Sequence, residues 1–200
     1  MGEYNRMQII KRRFFAMRNG IIADTLRKAG LDYRMIFGLN LPQITEIAAD
    51  QPKEAALAEE LWADRRTRES LMLAPMLYPP AEMDATTAAR WISEVTTTEV
   101  ADVLCLRLLR YTGGALDTAL SAMTSDCPMT RYTALRLMLN LLNLSATQAG
   151  RDAGLPDTTD IARTMRPFAD DEIHAGEPVT QSVARQLADE IDFRLDEDNF

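Results

Sequence analysis

The sequence predicts an all-α protein, a right-handed α-α superhelix of stacked helical hairpins. Three observations predict it. Apolar residues recur at intervals of three and four through most of the chain, as one buried helix face does. No run of β-branched alternation is bounded by turn residues, so strand signals are nearly absent. The second helices of successive hairpins start near residues 68, 99 and 130, about 31 residues apart. A repeat of two helices at that period buries its apolar face only against its neighbours, and stacking follows from that need.

The elements follow in chain order. Met7, Ile10, Phe14, Phe15 and Met17 mark a first helix, interrupted at Asn19-Gly20. Ile21, Ile22 and Leu26 resume the pattern up to Gly30. Tyr33 to Pro42 reads as a loop with a glycine turn, and Pro42 suits the first turn of a helix beginning near Gln43. Pro52 opens a helix through Trp62, and Thr67 starts its partner, which ends at Pro79-Pro80. Ala85 to Ser93 pairs with a helix that Thr97-Thr98-Glu99 caps and that runs to about Tyr111, where Gly113-Gly114 stops it. Ala115 to Met123 and Met129 to Leu144 repeat the arrangement. Trp62 and Trp91 lie on apolar stripes and are expected in the core, as is the thiol of Cys105 within Val103-Leu104-Cys105-Leu106.

Past Gly150 the pattern weakens. Gly154, Pro156, Pro167, Gly176 and Pro178 interrupt the chain, and one helix is expected at about residues 180–195, where Val183, Leu187, Ile191 and Leu195 recur every four residues. The expected organisation is a repeat domain over residues 1–150 and an acidic extension over 151–200, frayed at its Asp196-Glu197-Asp198-Asn199-Phe200 end. Charge draws the same boundary. Residues 1–150 hold 17 acidic and 17 basic residues, whereas 151–200 hold 13 and 5, so the net charge of −8 belongs to the last quarter. That extension reads as a solvated tail or as a cover over an arginine-lined surface.

Several chemistries lack the residues they need. His174 is the one histidine, Cys105 and Cys127 form no CxxC, and no His/Cys cluster exists, so no metal site is expected. No GxGxxG or GxxxxGK[ST] loop is present, so no nucleotide cofactor is expected. The start, Met1-Gly2-Glu3-Tyr4-Asn5-Arg6, lacks the apolar core of a signal peptide, and no stretch is long and apolar enough to span a membrane. A cytoplasmic location is the expectation.

Five stretches, in this order and spacing, resemble the DNA alkylation repair enzymes. They are Phe37-Gly38-Leu39-Asn40-Leu41-Pro42, the pair Ala58-Glu59-Glu60-Leu61-Trp62 and Arg68-Glu69-Ser70-Leu71-Met72-Leu73-Ala74, Glu99-Val100-Ala101-Asp102, and Arg131 to Ala134. The resemblance covers about residues 30–145. It implies a HEAT-like, armadillo-like repeat fold, and in active members an alkylpurine DNA glycosylase. There a carboxylate stabilises the cationic sugar that develops as the damaged base leaves, and aromatic rings stack beside it.

By that resemblance Asp102 matches the catalytic carboxylate. The family's Trp one turn upstream is Thr98 here, and a second aromatic falls in a repeat that the chain lacks. The glycosylase is therefore expected to be weak or lost. A carboxylate in a helix's first turn is also favoured by the helix dipole, which gives Asp102 a purely structural reading. Arg107, Arg110, Arg131 and Arg136 sit on second helices, where they could neutralise phosphates of double-stranded DNA or pair with the chain's own carboxylates. The alternative function is a non-catalytic repeat scaffold that binds a protein or peptide.

Overall fold

The computed structural model describes residues 5–197. Asp198 to Phe200, part of the end expected to fray, lie outside the described residues. Twelve α-helices and no strand occur among the described residues. The chain divides into two compact units, Met1–Glu82 and Met83–Phe200.

The first unit holds α1 (Arg6–Ala16), α2 (Gly20–Lys28), α3 (Leu41–Ala49), α4 (Ala55–Ala63) and α5 (Arg68–Leu77). Asparagines start three of them. Asn5 and Asn40 each close a capping box with a glutamine three residues on, and Asn19 accepts from the Ile21 and Ile22 amides. Each satisfies amides that the first turn leaves without partners. Trp62 and Leu61 of α4 and Leu71 and Leu73 of α5 are buried, and α5 packs on both α3 and α4.

The loop between α2 and α3 is built around Gly38 and Glu69. Gly38 has φ +78°, and a Cβ there would lie 2.2 Å from the Asn19 carbonyl oxygen, so a side chain is excluded on both counts. Glu69 is fully buried in α5. Its Oε2 accepts from the Phe37 amide at 3.1 Å, and its Oε1 accepts from the Gly38 and Leu39 amides at 3.0 and 3.4 Å. Arg68 balances the charge. Its Nη1 lies 3.1 Å from Glu69 Oε1 and donates to the Leu39 carbonyl at 2.9 Å. The Phe37-Gly38-Leu39 motif is thus a backbone turn clamped by a buried ion pair.

The second unit holds α6 (Ala85–Ser93), α7 (Thr98–Arg107), α8 (Ala115–Ala122), α9 (Pro128–Ser145), the short α10 (Gln148–Asp152), α11 (Thr158–Ala175) and α12 (Pro178–Glu197). α7 packs on α9, α9 on α11, and α8 on α6 and α9. Trp91 is fully buried, as is Cys105.

Two helices, rather than the one expected near 180–195, follow residue 150. Pro167 lies inside α11. A proline removes one backbone donor, and an 18-residue helix packed along its length tolerates that loss. The helices α5, α7, α9 and α11 begin at Arg68, Thr98, Pro128 and Thr158, an interval of 30 residues each time. The repeat spacing therefore continues past residue 150. α11 and α12 form a hairpin that packs back on α9.

Candidate functional site

Asp102 lies on α7 with buried Ala101 and Val103 on either side, and its own side chain is 45% exposed. It meets α9, where Tyr132 and Arg136 sit one turn apart on the same face. The Tyr132 hydroxyl donates to Asp102 Oδ1 at 2.9 Å, and Arg136 Nη2 donates to the Tyr132 oxygen at 3.0 Å. Arg136 Nε lies 2.8 Å from Asp102 Oδ1 with its hydrogen out of line, so that contact is coulombic rather than a directed bond. Arg136 Nη1 donates to Gln186 Oε1 of α12 at 3.3 Å.

The electrostatics follow from that triangle. Burial first, then the Asp102 charge and the bond to it, push the Tyr132 phenol above its usual range, so the ring stays a neutral donor. Burial works against the Arg136 charge, but Tyr132 and Asp102 outweigh it and hold the guanidinium protonated. Beneath them, burial and then Asp102 push the Cys105 thiol far up, and its Sγ lies 3.3 Å from the Thr133 carbonyl.

The other predicted arginines have separate surroundings. Arg131 is held within the chain: Nε lies 2.5 Å from Glu172 Oε1 of α11, and Nη1 donates to the Ser125 and Asp126 carbonyls at 2.9 and 3.0 Å. Arg110 stacks on Tyr111, its guanidinium carbon 4.6 Å from the ring centroid. Arg107 is exposed and makes no ion pair or side-chain hydrogen bond among the described residues. The structure therefore joins Asp102 to Arg136 and leaves Arg107, Arg110 and Arg131 outside that cluster.

No indole stands beside the carboxylate. Thr98 is exposed, and Trp62 and Trp91 are fully buried. The ring that meets Asp102 is Tyr132, which presents its hydroxyl rather than its face. The sequence reading missed Tyr132. It stands 30 residues after Asp102, one repeat on, where stacked helices bring equivalent positions together.

Comparison with known proteins is consistent with this architecture. The family of DNA alkylation repair enzymes matches over residues 10–174. The chain belongs to that family. The matched region runs beyond residue 150 and takes in nearly all of α11. A solved structure described as "a new family of proteins related to the HEAT-like repeat DNA glycosylases with affinity for branched DNA structures" superposes with a TM-score of 0.76 at 17% identity, covering 92% of this chain and 74% of that one. At that identity the likeness is one of fold, and the fold is HEAT-like. No curated protein matches the chain. No helix among the described residues is long and apolar enough to cross a membrane.

Proposed function

We propose that this family member binds DNA and has weak or lost N-glycosylase activity. The observation that carries the second half is the Arg136 guanidinium on Asp102. A carboxylate that stabilises an oxocarbenium-like centre must present its negative charge to the sugar. Here an arginine offsets that charge, a tyrosine hydroxyl occupies one lone pair, and the position of the aromatic clamp is Thr98. Asp102 is then a retained member of the ancestral site that now braces α7 against α9.

For DNA binding, support comes from family membership and from the neighbour of the same fold whose description names affinity for branched DNA. Arg107 and Arg110, with exposed Tyr111 beside them, are the candidate phosphate contacts of the second unit, and Arg136 contributes if it leaves Asp102. Arg131 is the weakest candidate, since Glu172 and two carbonyls already hold it.

Two measurements test the reading. Release of methylated purines from alkylated DNA is expected to be absent or very slow, and robust release abolished by Asp102→Asn would overturn it. Affinity for duplex and branched DNA is expected to fall steeply with salt, because neutralised phosphates release counterions. Failure to bind any DNA at low salt would leave the protein-binding scaffold as the better account.

A further inference from the structure

The first unit carries a basic groove that the Asp102 site does not use. Lys11 of α1, Arg34 and Met35 of the α2–α3 loop, Ala63 at the end of α4 and Asp64 to Arg66 after it line a groove of about 690 Å³. Four of these residues are cationic and one, Asp64, is anionic. The loop is held in place: the Met35 amide donates to the Arg66 carbonyl at 2.9 Å, and the Arg68 amide to the Met35 carbonyl at 3.1 Å. That parallel bridge between Met35 and Thr67 brings Arg34 and Arg66 to equivalent positions side by side. Both are exposed, and among the described residues neither makes an ion pair or side-chain hydrogen bond. Asp64 is paired with Lys11 at 2.9 Å and accepts from the Ser70 hydroxyl at 2.8 Å.

An apolar groove adjoins it at Lys11 and Met35. It measures about 390 Å³ and includes Arg12, Phe15 and Phe37. Phe15 is 57% exposed, and the Arg18 guanidinium carbon lies 3.8 Å from its ring centroid. An exposed ring beside cations carried on a braced backbone is the combination that binds single strands, because phosphates follow the cations while a base stacks on the ring. A duplex keeps its base faces inside the stack and cannot offer one to Phe15.

We propose that these joined grooves hold an unpaired DNA strand, with its phosphates along Arg34 and Arg66 and one base on Phe15. The inference rests on the DNA-binding reading. It is tested on the full chain by the affinity of a single-stranded oligonucleotide, a fork with an unpaired arm and a matched duplex, each over a salt series. In the Arg34→Ala/Arg66→Ala double variant, single-strand and fork affinity should fall about tenfold or more. The slope of log affinity against log salt should fall by about 1.4, two phosphates at roughly 0.7 each. The Arg34→Lys/Arg66→Lys variant should keep the slope, and Phe15→Ala should lose about tenfold with the slope unchanged. If the wild type binds DNA and these variants match it, the groove assignment fails while DNA binding stands. Equal losses on duplex and single strand would overturn the unpaired strand, and a wild type that binds no DNA overturns both readings.

Discussion

Each unit places a carboxylate near the start of a second helix with an arginine against it, and the partners make the two different. Glu69 is fully buried and accepts from three backbone amides of one turn. Asp102 is half-exposed and, among the described residues, meets the side chains of Tyr132 and Arg136. A backbone amide cannot turn away without unmaking the loop that carries it. The buried Tyr132 ring stays in place, but the partly exposed Arg136 guanidinium can leave by changing rotamer. The first arrangement is therefore a structural clamp, and the second is an exchangeable one whose arginine can be given up to another anion.

The largest effect expected is at the clamp. Glu69→Gln keeps the shape but turns an amide NH2 toward backbone donors and leaves Arg68 as a buried cation without its counter-charge. The cost should be roughly 3–5 kcal/mol, as for breaking other buried pairs. Asp102→Asn, half-exposed and still able to accept from Tyr132, should cost no more than about 1 kcal/mol. Urea denaturation of the two variants decides the matter, and equal losses would break the comparison.

That contrast explains which parts were legible in the sequence. Helix period, proline stops and cap residues are local signals, and they located α6 at Ala85–Ser93 and placed α5, α7 and α9 within two residues of their starts. Trp62 and Trp91 were readable as core because both lie on apolar stripes. α11 was hidden by Pro167, which reads as a break, although Ile161, Ala162, Met165 and Ala169 recur at helical spacing on the buried face. Glu69 reads as one more charged residue in a helix's first turn, and nothing local says that three amides 30 to 32 residues upstream converge on it. The Asp102 cluster was half-legible. The resemblance pointed to the carboxylate, whereas its neutralisation by Arg136 depends on how α7 meets α9.

A smaller effect sharpens the account of Asp102. A double-mutant cycle on Asp102→Asn and Arg136→Gln should give a coupling of about 1 kcal/mol or less, since both side chains remain partly exposed, and added salt should reduce it. Coupling of several kcal/mol that salt does not touch would make this pair a clamp like Glu69. Tyr132→Phe should cost about 0.5–1.5 kcal/mol, the worth of one hydrogen bond.

The smallest effect concerns Asp64, whose partner Lys11 remains partly exposed. Burial raises its carboxyl pKa, but hydrogen bonds from Lys11, Ser70 and Thr67 outweigh that and hold it below the ordinary 3.8. A carboxyl depressed on folding contributes stability that is fully present above its unfolded value and is lost as pH falls through the folded one. Wild type and Asp64→Asn should therefore differ by less than about 1 kcal/mol at neutral pH and converge below pH 3.8. The same substitution removes the lone negative charge among the residues of the basic groove and releases Lys11 from its ion pair. Asp64→Asn should then bind single-stranded DNA more tightly than wild type, with a steeper salt slope, while losing stability. Opposite changes in affinity and stability from one side chain would show that its charge is held there by the fold rather than for the ligand.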